Sequence, residues 1–184
     1  MSDPINRKPI HHVCYLVDDI PNAVDHWVEA VGAGPFFWLG QHIEFDEAQF
    51  RGEPCVLDHS AVIGSWGDIF VELGQIHDIS PAPFEHAFVG ASADINRVAH
   101  ASYMVENAEA ENKRLRELGA QEFFRARKGP VKITFYEWPL FGHPIEVHQK
   151  SDALEATFRM VAAAAEGWDG SDPIRSLPPG PHDR

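Results

Sequence analysis

Apolar and polar residues alternate over residues 10–17, with Val13, Tyr15 and Val17 on one side and His12, Cys14 and Leu16 on the other, the period of a strand with two unlike faces. The period then lengthens. Ala23, Val24, Trp27, Val28 and Val31 recur at helical spacing, with Asp19 placed to cap the start, Pro21 in the first turn and Gly32 at the stop. This helix is predicted to cover the Tyr15 face of the strand. Three more strand-like runs follow at residues 36–45, 55–63 and 68–76, divided by the turn signals of residues 51–54 and 64–67. The order is βαβββ.

The same succession then returns. A strand at residues 98–105 leads into a charged helix at 107–118, with Gly119 as its C-cap, and strands at 122–126, 131–138 and 144–149. Both opening strands place a His first, a Tyr three positions on and a Val five positions on (His12, Tyr15, Val17; His100, Tyr103, Val105). Both closing strands read β-branched residue, Glu, aliphatic, variable residue, Gln: Val71-Glu72-Leu73-Gly74-Gln75 and Ile145-Glu146-Val147-His148-Gln149. Such self-similarity outranks any single motif as a guide to fold. It divides the chain into a module at residues 10–78, a linker at 79–97, a second module at 98–149 and a C-terminal helix and tail at 150–184. Phe84 and Phe88 give the linker apolar anchors, and Leu154, Phe158 and Val161 give the terminal helix one apolar side. The stretch from His12 to Glu72 is longer than that from His100 to Glu146. The surplus is expected in the second and third strands of the first module, where it would deepen a pocket.

Composition narrows the partners. With 28 acidic against 15 basic residues and a formal net charge of −13, the chain lacks the cation clusters that nucleic acid or an anionic membrane requires. A small molecule is the expected partner. Cys14 and Cys55 have no paired spacing and fit reduced thiols, no secretory signal is visible, and no apolar run approaches the roughly 18 residues of a membrane span; a cytoplasmic location follows. No GxGxxG, P-loop, HExxH or GxSxG pattern is present.

With 11 histidines in the chain, any one of them is uninformative, and a Glu on an exposed strand face is ordinary. Their recurrence at equivalent places in two modules is not. Alternation puts each opening His on the face away from the covering helix and sets each closing Glu between aliphatic neighbours that point the other way. Phasing against the second copy selects His12 over His11. If the modules face each other, His12, Glu72, His100 and Glu146 converge as two imidazoles and two carboxylates, a ligand set for one divalent ion among Fe, Ni, Co, Mn and Zn. Cys14 shares the face of His12 and is read as a wall residue in preference to a thiolate ligand. The same alternation makes Cys14, Phe70, Met104, Tyr136, Trp138 and His148 the expected substrate pocket, an aromatic lining suited to a fairly apolar molecule. His148 is open between a substrate contact and simple solvation.

On the two His-Val-Cys-Tyr and His-Ala-Ser-Tyr openings, the helices after them and the Val-Glu-Leu and Ile-Glu-Val closings, residues 10–149 resemble the vicinal oxygen chelate superfamily of glyoxalase I, methylmalonyl-CoA epimerase, extradiol dioxygenases and bleomycin-resistance proteins. The resemblance implies an α+β fold in which two βαβββ modules make a half-open, barrel-like mixed sheet around a metal site. It also implies a metal-dependent isomerase, epimerase or lyase that abstracts a proton beside a chelated carbonyl, with Glu146 the first candidate base and Glu72 the second. Two His and two Glu are similar to the bacterial glyoxalase I set, whereas epimerases commonly carry Gln in the place of Glu72 and the dioxygenases use two His and one Glu. An Fe(II) ring-cleaving dioxygenase and a non-enzymatic binding protein of the resistance type are the alternatives. Glutathione or coenzyme A would need cations, for which Arg125, Arg127, Lys128 and Lys132 are the one local cluster. The pseudo-twofold relation between modules makes a homodimer the expected assembly.

Overall fold

The computed structural model describes residues 7–89, 98–138 and 141–178. Strand β1 (His12–Leu16) leads into helix α1 (Ile20–Val31), where the Asp19 carboxylate accepts the Asn22 amide at 2.8 Å and Gly32 closes the helix at φ 66°, a left-handed conformation that glycine adopts without strain. The apolar stripe of α1, with Ile20, Ala23 and Val24 buried, packs with Trp27 on Val17, Val62, Val71 and Leu73. The Tyr15 and Val17 side of β1 is therefore the covered one. His12 and Cys14 face away from α1.

The first module continues through β2 (Phe36–Ile43), β3 (Glu47–Phe50), β4 (Glu53–Pro54), β5 (Val56–Trp66) and β6 (Ile69–Ser80). The second module is β7 (Val98–Val105), α3 (Ala108–Glu117), β8 (Gln121–Lys128), β9 (Val131–Glu137) and β10 (Ile145–Gln149), with α2 (Ala82–Val89) between the modules. After it come α4 (Asp152–Ala165) and a short edge strand, β11 (Ile174–Ser176), that pairs with β2 inside the expected tail. Residues 90–97 of the expected linker and 179–184 of the tail lie outside the described residues. The C-cap of α3 is Leu118, not Gly119, which follows it at φ 89°.

All strands join one mixed sheet, in the order β11-β2-β5-β6-β1-β7-β10-β9-β8-β3-β4. Its centre is the antiparallel pair β1–β7. On each side of that pair lies a parallel partner, β6 against β1 and β10 against β7, so the modules are related by a pseudo-twofold axis between their opening strands. The expected α+β fold of paired βαβββ units is the one observed. The surplus of the first module is used differently from expectation. Besides lengthening β5 and β6, it makes the β3–β4 hairpin, turned by Arg51 at φ 50° and Gly52 at φ 89°, which leaves its own module and pairs with β8 of the other. Phe50 on that hairpin reaches Phe84, and Glu47 reaches Arg127 at 2.8 Å, contacts that no local pattern encodes.

Helix α3 is largely charged and is held to the sheet by few groups. Leu115 is buried, and the buried Glu111 carboxylate accepts from the Tyr103 hydroxyl at 2.8 Å and from both Arg114 Nε and Nη2 at 3.0 and 2.7 Å. The closing Gln149 accepts the Ala108 amide at 2.8 Å and donates to the Glu106 carbonyl, fastening the start of α3 to the end of β10. Among the described residues no helix is long and apolar enough to cross a membrane.

Arg114 first, and then Tyr103, hold the Glu111 carboxyl below the usual carboxylate range against the opposing effect of burial. A carboxyl depressed in the folded state stabilises above its unfolded pKa of about 4.3, and that stability is lost as pH falls through the folded value. Glu111→Gln is expected to cost about 1–3 kcal/mol at pH 7 and progressively less below about pH 4. Urea melts at the two ends of this range check it, and an equal loss at both would contradict it.

Candidate metal centre

Register places the site. Across the four central strands one row of paired residues reads Phe70, His12, Ser102, Glu146, and continues to Phe135 on β9. The next row reads Glu72, Cys14, His100. Residues paired across a sheet share a face, so two imidazoles and two carboxylates from four strands meet on the side that α1 and α3 leave uncovered. His12 Nε2 lies 3.2 Å from Glu72 Oε2 and 3.3 Å from Glu146 Oε2, and His100 Nε2 lies 3.2 Å from the same Glu146 oxygen. His12, His100 and Glu146 are 2%, 4% and 4% exposed, and the Glu72 side chain 14%. Donor atoms of His12, His100 and Glu146 all lie within 4.8 Å of one another, as do those of Cys14, Glu72 and His100.

These contacts are close without being hydrogen bonds. His12 Nε2, His100 Nε2 and Glu146 Oε2 are all buried and none has a hydrogen-bond partner. A buried polar atom left unsatisfied costs about 1–3 kcal/mol, so several at one point call for a common partner. Imidazole and carboxylate donors around one point suit a divalent transition metal, and the residues present fit such an ion. Ser102 Oγ, between His12 and Glu146 in the row, is also buried and unpartnered.

The neighbours of the set act on its protons. His11 Nδ1 lies 3.1 Å from His12 Nδ1. Burial first, and then His12 beside it, push His11 down to about 3, so His11 is neutral and accepts the His12 Nδ1 proton, which leaves Nε2 as the His12 nitrogen that faces the site. Burial works against ionising His12, yet Glu146 and Glu72 outweigh it and raise His12 to about 9. Burial likewise opposes both carboxylates, while His148 and His100 hold Glu146 low and His12 holds Glu72 low. Burial and the two carboxylates push the Cys14 thiol up, which keeps it protonated and makes it a wall residue.

Cys14, Glu72, His100 and Glu146 edge a cavity of about 50 Å³, walled also by Leu57, His59, Phe88, Phe124 and Phe135. The other proposed pocket residues divide. Phe70 and Met104 are on the site face but pack with Phe37, Ile63 and Phe158 of α4, whose ring lies 4.0 Å from that of His11 and stacks 6.3 Å from that of His12. His148 reaches the site, its Nε2 2.9 Å from Glu146 Oε2. Tyr136 and Trp138 do not belong to the pocket: both pack in the core beneath α3 with Tyr103 and Val147. The reason is register, because β9 sets Phe135 opposite Glu146, which turns Phe135 to the site and Tyr136 away from it. Leu57, His59, Phe88, Phe124 and Phe135 are wall residues that sequence reasoning missed. For Phe135 the signal was present, in the parity of β9 relative to Glu146, but reading it requires the pairing.

No family model and no curated protein matches the chain. Solved structures do. A hypothetical protein from Bacillus halodurans, 15% identical, superposes with a TM-score of 0.52 over 80% of this chain and 97% of that one. Methylmalonyl-CoA epimerase from Mycobacterium tuberculosis, 17% identical, superposes with a TM-score of 0.53 over 80% of this chain and 91% of that one. At these identities the likeness is one of fold.

A ligand at about a thousand times its dissociation constant stabilises by about 4 kcal/mol, which for a chain of this size is a Tm rise of roughly 8–16 °C. Addition of Ni²⁺, Co²⁺ or Zn²⁺ to chelator-treated protein is expected to give such a rise with one ion bound per chain. Glu146→Gln should remove it. Calorimetry with elemental analysis makes the measurement, and an undiminished rise in the variant would contradict the assignment.

Proposed function

We propose that this chain, whose fold is that of the vicinal oxygen chelate superfamily, is a metal-dependent isomerase, epimerase or lyase that moves a proton at a carbon beside a carbonyl. A divalent ion held by His12, His100 and Glu146 supplies a Lewis acid that acidifies a C–H bond next to the oxygen it binds. The observation that carries the reading is the unequal standing of the two carboxylates around that set. Glu146 Oε2 lies within 3.3 Å of three imidazole nitrogens, which commits it to the donor set. Glu72 meets one of those imidazoles, His12, edges the cavity and keeps part of its side chain exposed. Glu72 is thus the better carrier of the proton, taking it from substrate and returning it, in preference to Glu146.

The walls support a fairly apolar substrate. Leu57, Phe88, Phe124 and Phe135 exclude water from the carboxylates, and His59, whose buried Nδ1 has no partner, is the polar group among them. Burial pushes His59 below the usual imidazole range and keeps it neutral. At about 50 Å³ the cavity has room for only a few waters, so substrate binding displaces a wall, with α2 and its Phe88 the element at hand. Three of the four cations that a glutathione or coenzyme A conjugate would need are already engaged. Arg125 pairs with Glu122 at 2.5 Å, Arg127 with Asp46 and Glu47 at 3.1 and 2.8 Å, and Lys128 donates to the Glu44 carbonyl. Arg125, Arg127 and Lys132 line a separate groove of about 920 Å³ beside α3 that shares no residue with the metal set.

Deuterium wash-in from D₂O, scanned over hydroxyketones, hemithioacetals and acyl thioesters, tests the reading on the metal-loaded chain. Glu72→Gln is expected to slow exchange by about 10²-fold or more with the bound ion retained. Full exchange in that variant would sink the base assignment. The phenyl lining favours a second reading, ring cleavage, which oxygen uptake with catechols under Fe(II) would reveal.

A further inference from the structure

The two closing runs agree in residue class at every position but one, where the first module has Gly74 and the second has His148. In the structure that one difference falls on the metal centre. Glu146 and His148 are two apart on β10 and so share a face, and the register sets His148 beside Met104 and Ile133, on the far side of the His12–Glu146 row from Glu72. Its Nε2 approaches Glu146 Oε2 to 2.9 Å, closer than His12 at 3.3 Å or His100 at 3.2 Å. Because Glu146 Oε2 has no hydrogen-bond partner, the third approach, like the other two, is not a hydrogen bond. Three imidazoles converge on one carboxylate oxygen without bonding to it. The His148 ring stands edge-on to His12 with centroids 5.7 Å apart, the same separation as between His12 and His100, and its Nδ1 is buried without a partner.

We infer that His148 is a third imidazole ligand of the ion beside His12, His100 and Glu146, with Glu72 left as the proton carrier. This deepens the proposed function and rests on its premise that the centre holds one divalent ion. Two consequences follow. The site is asymmetric, because the pseudo-twofold mate of His148 is Gly74, which lines the cavity beside Cys14 and Leu16 and carries no side chain to reach the ion. Substrate is expected in the cavity that Gly74 lines, since the His148 side is taken by a ligand. Imidazole-rich donors also shift preference from Mn toward Zn, Ni or Fe.

The test counts imidazoles. In the Co²⁺-loaded full chain, paramagnetic NMR is expected to show three hyperfine-shifted imidazole ring systems in the unaltered protein and two in His148→Ala, with His148→Asn as the variant that keeps a polar group of similar reach if the alanine form does not fold. Chelator competition should show Co²⁺ bound more weakly by over about 100-fold in the variant, beyond the 10–100-fold of losing a group that only orients a ligand. Two ring systems in the unaltered protein would overturn the third ligand and leave the proposed function standing. Failure of the unaltered chain to take up any ion would overturn both.

Discussion

The antiparallel pairing of β1 with β7 is the constraint on which everything else in this molecule depends. It sets His12 opposite Ser102 and Cys14 opposite His100, and thereby puts two histidines from distant parts of the chain in adjacent rows on one face. The parallel neighbours β6 and β10 then bring Glu72 and Glu146 into those rows. Strand side chains alternate with a period of two, so a slip of one residue in this pairing would put the His and Glu of one module on the opposite face from those of the other. The covering helices prevent such a slip. Val17, Val71 and Leu73 must lie under α1, and Tyr103, Val105 and Val147 under α3, which leaves the His and Glu side chains only the opposite face.

That face is enclosed as well. Phe84 and Phe88 of α2 pack with Phe124 and Phe135 on one side of the centre, and Phe158 of α4 covers His11 and His12 on the other. Enclosure raises the cost of each uncompensated charge, since an isolated buried carboxylate is far less favourable than one with a cationic partner. The imidazoles around Glu146 and Glu72 provide the compensation through mutual shifts of their proton equilibria, and a divalent ion would provide it more fully. The aromatic enclosure and the polar cluster are thus two halves of one arrangement: the first keeps water out, and the second supplies the charge that a dry site needs.

Several features were legible in the residues themselves. Asp19 and Gly32 bound α1 where local chemistry places them, α4 spans the residues its periodicity picks out, and the duplicated His and Glu positions come together on one face, as the recurrence of the pattern suggests. Other features were not. Tyr136 and Trp138 are as aromatic as Phe135, and only the pairing of β9 with β10 decides that Phe135 faces the site. His59 is one histidine among many until the β5–β6 hairpin places it at the cavity. The β3–β4 hairpin has a readable turn, but nothing local says that its partner is β8 of the other module.

By itself, then, the sequence determined the elements, their duplication and which residue types recur at equivalent positions, because periodicity, capping and repetition act over a few residues at a time. The tertiary structure alone decided which faces meet, which aromatics wall the centre and that Gly74 lines its cavity while His148 reaches Glu146. Those outcomes depend on register and on packing between elements far apart in the chain. Neither has a local signal.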